Sequence, residues 1–162
     1  MLKYILTLLV FLNLNSCITV DEFNPEDIKA SFILNDSTGT ERNIFKKNEE
    51  FIAKFEVVNK SSDELHYYSS LPIISYEIIQ GDSVVARSTD QMDYAAMMIN
   101  GKLEKDASFV DTWIGPNTRG RKDSGDIIML LPGDYKIEVL HSSFFTEYQL
   151  PKTKTINFEV IE

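Results

Sequence analysis

The sequence has very little cysteine and histidine, with one cysteine and two histidines among 162 residues. A single thiol excludes an intrachain disulfide, so the fold must be stable without one. Neither His66 nor His141 stands at metal-ligand spacing from another strong ligand, and the G-x-S-x-G, H-E-x-x-H and phosphate-loop motifs are missing. Long apolar runs are missing too, whereas a membrane-spanning helix needs about 20 apolar residues. We therefore expect no metal, no cofactor and no enzymatic activity.

The N-terminal segment has the pattern of an export signal. An apolar run at 4–12 follows Lys3, as in the central region of a secretory signal peptide. The next motif, LNSC at 14–17, resembles the bacterial lipoprotein cleavage box, with an aliphatic residue three positions before the cysteine and a small residue directly before it. The resemblance implies that residues 1–16 are a lipoprotein signal peptide and that Cys17 becomes a lipid-carrying N-terminus, with acyl chains such as palmitate in the membrane. The alternative is an ordinary buried cysteine after a conventionally cleaved leader.

The remaining chain is long enough for one domain. Without residues 1–16 it has 146 residues, and its formal net charge changes from −9 to −10 because the leader contains one lysine and no acid. This charge disfavours contact with nucleic acid. We expect residues 17–26 to be a lipidated tether and residues 27–162 to be the folded domain. The expected location is the bacterial cell envelope, on the outer membrane, with the leaflet left open.

From residue 27 onward, apolar and polar residues alternate with period two, which predicts half-buried strands. Turn-forming residues separate the runs, for example at 35–39, 59–63 and 80–83. About eight strands predict an all-β sandwich or barrel, with a short helical turn possible within 89–98. The residues expected to face the core are Ala30, Phe32, Leu34, Phe51, Ala53, Phe55, Val57, Ile74, Tyr76, Ile78, Tyr135, Ile137, Val139, Ile156, Phe158 and Val160.

The motif LLPGDYKI at 130–137 favours the sandwich. It resembles the corner of immunoglobulin-like domains, in which a tyrosine hydroxyl bonds to backbone upstream while its ring enters the core. Pro132 would fix one φ angle, Gly133 would permit the turn, and Tyr135 would point inward. We therefore predict an immunoglobulin-like antiparallel β-sandwich of about 7–9 strands. The alternative is an unrelated Pro-Gly hairpin followed by a buried tyrosine.

Several motifs together resemble a known family. FEVVNKS at 55–61 resembles the F-x-V-x-N-x-S strand and turn of the intracellular proteinase inhibitor (BsuPI-like) family. Further matches follow in similar order: Pro72, Tyr76, Gly81, Val84, Val85, the segment 111–113 and the Pro-Gly corner. The resemblance covers residues 51–139. It implies an immunoglobulin-like fold and protease inhibition as one candidate activity.

Two segments are candidate binding loops. Arg119, Arg121 and Lys122 concentrate positive charge in an acidic chain, where arginine can bind a carboxylate or phosphate group through two hydrogen bonds. The alternative is a solvated hairpin tip. A second segment contains the aromatic residues Phe144, Phe145 and Tyr148, which suit contact with a protein or a glycan if they are exposed. The alternative is a packing role over the core.

These observations lead to one preferred function and two alternatives. The preferred interpretation is a lipid-anchored, non-catalytic immunoglobulin-like module that binds another protein of the cell envelope. The first alternative is a protease inhibitor in which the extended segment 118–126 occupies a protease cleft. The second is a carbohydrate-binding lipoprotein that uses the aromatic segment or Trp113. The oligomeric state is not specified by the sequence.

Overall fold

The structure is a computed structural model and describes residues 27–70, 74–91, 98–116, 129–141 and 153–162. These residues contain ten β-strands and one 3-10 turn at Ser88–Gln91. The strands are β1 (Ile28–Asn35), β2 (Ile44–Lys46), β3 (Phe51–Asn59), β4 (Leu65–Ser70), β5 (Ile74–Gln80), β6 (Ser83–Arg87), β7 (Met98–Leu103), β8 (Ser108–Gly115), β9 (Gly133–His141) and β10 (Thr153–Ile161). The fold is therefore all-β, as the sequence predicts.

The strands form two larger sheets and one two-stranded ribbon. One sheet has the order β1-β3-β8, the other has the order β2-β10-β9-β5-β6, and β4 pairs with β7. The two larger sheets have the strand order of the two layers of an immunoglobulin-like sandwich, with A, B and E in one layer and G, F, C and C′ in the other. Two details differ from the prediction. The described residues hold ten strands rather than about 7–9, and β2 pairs with β10 in parallel, whereas the other pairings are antiparallel.

The core lies between the inner faces of the two larger sheets. In β3, alternate residues are buried and partly exposed, which is the period that the sequence predicts. β5 and β9 show the same alternation, and their inward residues complete the core from the opposite layer. Ala30, Phe32 and Ile156 are only partly buried but pack against this core. The inward residues from the three buried strands are Phe51, Ala53, Phe55, Val57, Ile74, Tyr76, Ile78, Tyr135, Ile137 and Val139.

Strand β2 has only three residues, and packing of one aromatic ring explains its position. Phe45 is 1% exposed and its ring lies 5.2 Å from that of Phe51 and 6.2 Å from that of Phe158. Burial of an aromatic side chain is a large stabilising contribution, and tilted or edge-on ring pairs add to it. Ile44 and Lys46 flank Phe45 and point outward. One buried ring therefore fixes which face of β2 is exposed.

The F-x-V-x-N-x-S motif ends in a buried polar cluster. Asn59 is fully buried, and its amide nitrogen donates to the backbone oxygens of Asp63 (2.8 Å) and Leu103 (2.9 Å). Its side-chain oxygen accepts hydrogen bonds from the backbone nitrogen (2.9 Å) and hydroxyl (2.6 Å) of Ser61. An asparagine amide has two donors and two acceptor positions, and all four are satisfied here. The motif thus joins the end of β3 to the end of β7 and has a structural role.

The motif at 130–137 forms a hydrogen-bonded corner at the start of β9. The hydroxyl of Tyr135 donates to the backbone oxygen of Leu131 at 2.8 Å, and its buried ring stacks on Phe158 with centroids 5.5 Å apart. Gly133 has a φ of 151°, which residues with a side chain rarely adopt, and Pro132 precedes it on the surface. This geometry is the one expected for a tyrosine corner at the start of strand F.

Beyond the Asn59 cluster, β4 and β7 pair in antiparallel register. Tyr67 lies directly opposite Gly101, and a methyl group added to this glycine would overlap the tyrosine ring. The ring of Tyr67 also contacts Phe109 of β8 edge-on, with centroids 6.4 Å apart. Glycine at position 101 therefore gives the ring space to lie across the ribbon and against β8.

Candidate functional site

Trp113, one candidate for carbohydrate binding, is only 7% exposed and its ring packs against Phe51 and Tyr76, so it offers a glycan almost no surface. The other predicted binding residues lie outside the described part of the chain. This applies to the lipid attachment site Cys17, the basic residues Arg119, Arg121 and Lys122, and the aromatic residues Phe144, Phe145 and Tyr148. The corner residues Pro132, Gly133 and Tyr135 are described and lie together at the start of β9. His66 projects outward, as expected for a surface histidine, with its side chain 64% exposed and 3.2 Å from a carboxylate oxygen of Glu64.

An open groove of about 590 Å³ crosses the outer face of the five-stranded sheet. Side chains or backbone from β2, β10, β9, β5 and the β5–β6 turn line it. The groove runs across strands rather than along one, so a bound chain would contact several strands at once. Its lining residues are Asn43, Ile44, Ile79, Gly81, Asp134, Tyr135, Lys136, Asn157, Phe158 and Glu159.

The strand period explains which side chains reach the groove. In β9, Tyr135 and Ile137 point into the core, so Asp134 and Lys136 point outward. In β10, burial of Phe158 and Val160 directs the side chains at 157 and 159 to the same outer face. The backbone of Tyr135 and Phe158 forms the floor between them. The residues that build the core therefore also position the groove.

Two pairs of acidic residues face each other across the strands of this sheet. Glu77 lies opposite Glu138, and each has its own cation: Arg87 is 2.8 Å from Glu77, and Lys136 is 2.8 Å from Glu138. Like charges in directly opposite positions are destabilising unless a counter-charge is near. At this pair both charges are compensated within the sheet.

The second acidic pair lies in the groove and has a different environment. Asp134 and Glu159 are directly opposite each other on β9 and β10, and both side chains are exposed. Neither has an ion-pair partner among residues that the structure describes, and Lys136 on the same strand is already paired with Glu138. The groove therefore has a local negative charge that a cationic group from another molecule would compensate.

Apolar surface lies beside these two carboxylates. Ile44 is 47% exposed and lies directly opposite Glu159 through the parallel β2–β10 pairing. Ile79 of β5 is partly buried and lies opposite Lys136 of β9. The groove thus has aliphatic residues on its two sides and carboxylates near its centre. Such a surface suits an extended segment that has both apolar and basic side chains.

Among the described residues, a titratable pair with a perturbed environment lies away from the groove, between the two sheets. Tyr76 of β5 donates a hydrogen bond to Oδ2 of Asp111 at 2.8 Å, and its ring stacks on Trp113 with centroids 5.8 Å apart. Burial raises the pKa of the Asp111 carboxyl above its ordinary value, while the hydrogen bond from Tyr76 opposes part of that rise. Burial and the neighbouring Asp111 also raise the pKa of Tyr76. This pair connects the two layers and lies apart from the groove.

The described residues offer neither a metal-ligand cluster nor a membrane-spanning helix. Within them, no three residues of the types histidine, cysteine, aspartate and glutamate come together in a way that would hold a metal ion. In the same ranges, no helix is both long enough and apolar enough to cross a bilayer.

Comparisons with known proteins identify no family for this chain. No protein-family model matches the sequence, and no curated protein matches it significantly. Among solved structures, the DNA glycosylase AlkC of Pseudomonas fluorescens aligns over 84% of this chain and 31% of its own, with 12% identity and a TM-score of 0.40. The β-glucosidase of Listeria innocua aligns over 82% of this chain and 16% of its own, with 12% identity and a TM-score of 0.40. EmGH1, a β-glucosidase of Erythrobacter marinus, aligns over 83% and 16%, with 11% identity and a TM-score of 0.42.

This chain thus spans less than a third of the length of these proteins. At such TM-scores and identities, the likeness defines neither the fold nor the function of the chain.

Sequence reasoning did not identify the groove. The predicted inward set Tyr135, Ile137 and Val139 implies that the residues alternating with them, including Asp134 and Lys136, face outward, as they do. Sequence reasoning had no means of placing Glu159 opposite Asp134, because that contact depends on the β9–β10 register. It also missed Ile44, because three residues are too few for an alternating pattern. Alternation in the sequence indicates which residues of each strand face outward, but it does not indicate which strands are neighbours in the sheet.

Proposed function

We propose that the protein is a lipid-anchored, non-catalytic binding module of the bacterial cell envelope that contacts another protein through the groove on its five-stranded sheet. The observation that supports this most directly is the carboxylate pair Asp134 and Glu159 between the aliphatic residues Ile44 and Ile79. The preferred partner has a basic and apolar segment that lies across the strands.

The groove suits recognition rather than reaction. It is open and lined by strand residues held rigidly by the core, which favours a preformed contact surface. Beside its two exposed carboxylates, the ammonium group of Lys136 is paired with Glu138 and the hydroxyl of Tyr135 donates to the backbone oxygen of Leu131. Attraction of a basic partner by these carboxylates would speed association and would weaken as ionic strength rises.

The membrane anchor is a separate part of the proposal and has its own test. It is supported by the apolar run at 4–12 and the LNSC motif at 14–17. Mass spectrometry of the protein isolated from membranes should find Cys17 as the first residue, with diacylglycerol on its sulfur. Cys17→Ser should move the protein to the aqueous fraction. An unmodified thiol in the native protein would overturn the anchor but would leave the groove proposal intact.

The groove is tested by photo-crosslinking in cells that produce the full chain. A photoreactive amino acid at Ile44 should capture a specific envelope protein, whereas the same group at Ser31, exposed on the opposite sheet, should not. The captured peptide should contain lysine or arginine next to aliphatic residues. Equal capture from both positions, or capture from neither, would contradict the proposal.

Charge reversal provides the matched control. The double variant Asp134→Lys with Glu159→Lys should lower the affinity for the captured partner at least tenfold. Added salt should also lower the affinity of the unaltered protein for this partner. The control, Glu41→Lys with Glu104→Lys, changes the net charge equally at exposed positions outside the groove and should bind normally. If both variants lose the same affinity, overall charge and not the groove determines binding. A captured secreted protease would instead favour the inhibitor alternative.

A further inference from the structure

In the described part of the chain, strand β8 is an edge of the three-stranded sheet. Within the described residues it pairs with β3 on one side only, so backbone groups along its other side have no strand beside them. Such an edge readily adds a strand from another chain, because the unpaired N–H and C=O groups are already aligned. β8 has eight residues, which is longer than an average strand.

The outward side chains of β8 lack the features that usually protect an edge. Val110 and Ile114 are 45% and 44% exposed, Thr112 between them is also exposed, and none of the outward residues is charged. Proteins commonly protect edge strands with lysine, proline or a bulge. The full chain has a net charge of −9, and the one acid of β8, Asp111, points inward to Tyr76, so two copies meet little repulsion at the uncharged outward face of this strand.

The outward residues are also complementary to themselves. If two β8 strands pair in antiparallel orientation with Thr112 on the two-fold axis, Thr112 faces its counterpart and Val110 faces Ile114 of the second copy. The outward contacts among Val110, Thr112 and Ile114 are then all between β-branched residues, a combination that stabilises sheets. Ile114 would lie between Ile52, its partner on β3, and Val110 of the second copy. This pairing extends an aliphatic row across both chains.

We propose that a second copy of this chain pairs with the β8 edge, forming a symmetric dimer with a continuous six-stranded sheet. A two-fold interface uses the same surface on both copies, which the register centred on Thr112 satisfies. The β8 edge and the groove lie on different sheets, so dimerisation leaves both grooves open. The proposal depends on neither the lipid anchor nor the partner of the groove.

Single-cysteine variants test the register directly. The full chain with Cys17→Ser has no thiol, so Thr112→Cys in that background introduces the only one. Directly opposite residues in an antiparallel pair have Cα atoms about 4.5–5.5 Å apart, which is within the range that a disulfide spans. Mild oxidation should therefore give a covalent dimer of Thr112→Cys at low micromolar protein concentration.

Two controls separate this pairing from random collision. Val110→Cys alone should not cross-link, because the two cysteines would be four residues out of register, whereas a mixture of Val110→Cys and Ile114→Cys should. Thr155→Cys, exposed on the other sheet, should remain monomeric. Val110→Lys in the chain without cysteine should convert a dimer to a monomer in analytical ultracentrifugation while leaving the circular dichroism spectrum of the folded chain unchanged. Its thermal midpoint should fall and lose its dependence on protein concentration, because the dimer no longer stabilises the folded state. A monomeric Cys17→Ser chain, or equal cross-linking of Thr112→Cys and Thr155→Cys, would overturn the proposal.

Discussion

Tyr76 and Asp111 connect the two layers of the sandwich through one side chain from each. The tyrosine hydroxyl lies 2.8 Å from Oδ2 of Asp111 and 3.1 Å from the backbone oxygen of the same residue. Tyr76 belongs to the five-stranded sheet and Asp111 to the three-stranded sheet. A hydroxyl and a partly buried carboxyl thus lie between the sheets, where a sandwich core is otherwise apolar. Because the carboxyl can ionise, the contribution of this contact to stability should depend on pH.

The first prediction concerns this pH response. Burial raises the folded-state pKa of Asp111, so its favourable contribution is present below its ordinary value of 3.8 and is lost as pH rises through the raised pKa. Asp111→Asn keeps an oxygen acceptor for Tyr76 but does not ionise. The free energy of unfolding of Asp111→Asn, relative to the unaltered protein, should therefore increase between pH 3.5 and pH 7. Urea denaturation at several pH values measures this difference.

A second variant checks the cause. Tyr76→Phe removes the hydrogen bond that lowers the pKa of Asp111, so this pKa should rise further and the pH dependence of stability should become steeper. Other carboxyl groups with shifted pKa values, such as Asp36 and Asp106, are present in the unaltered protein and in each variant, so their contributions cancel when the unfolding free energies are subtracted. A stability difference for Asp111→Asn that is constant across this pH range would refute the assigned role of burial.

The second prediction concerns the buried amide of Asn59. Asn59→Ala removes four hydrogen bonds and leaves buried backbone groups, including the carbonyl of Leu103, without their partner. The expected loss of unfolding free energy is on the order of 3 kcal/mol, because unpaired buried polar groups retain their desolvation cost. Chemical denaturation measures it. Asn100→Ala, at an exposed asparagine, is the matched control and should change stability little. Equal effects of both variants would show that the cluster is not specifically stabilising.

The third prediction tests the tyrosine corner. Tyr135→Phe keeps the ring that stacks on Phe158 and removes only the hydroxyl that donates to the backbone oxygen of Leu131. Loss of one such hydrogen bond should lower the free energy of unfolding by about 1 kcal/mol. Denaturant melts of the two proteins should show a shifted midpoint with an unchanged slope. An unchanged midpoint would mean that water replaces the bond without cost.

The all-β fold was predictable because its strands have one buried face each. Alternation identifies Phe51, Phe55 and Val57 as inward residues without knowledge of their neighbours, since period two is a local property. The Tyr135 corner was predictable for a similar reason: proline, glycine and tyrosine act within a few residues of each other.

The groove and the β8 edge were not predictable, because both depend on which strands become neighbours. Glu159 and Asp134 are 25 positions apart in sequence and meet through the β9–β10 register. Phe45 places β2 beside β10 through its contact with Phe158, which is distant in sequence. The three residues of β2 are too few to show an alternating pattern. Pairing partners follow from the global arrangement of the chain, so a single sequence gives the faces of strands more reliably than their order.

The last prediction concerns the close contact between Gly101 and Tyr67. Gly101→Ala places a methyl group where the Tyr67 ring lies, so the ring must leave its position against Phe109. Overpacking of this kind costs about 1–3 kcal/mol, which thermal or chemical denaturation will detect. Tyr67→Ala removes the obstructing ring and loses its packing. In the double variant the methyl group meets no ring, so Gly101→Ala should then cost much less than in the unaltered protein. The coupling free energy of this double-mutant cycle measures the contact directly, and additive effects would show that the ring does not lie across Gly101.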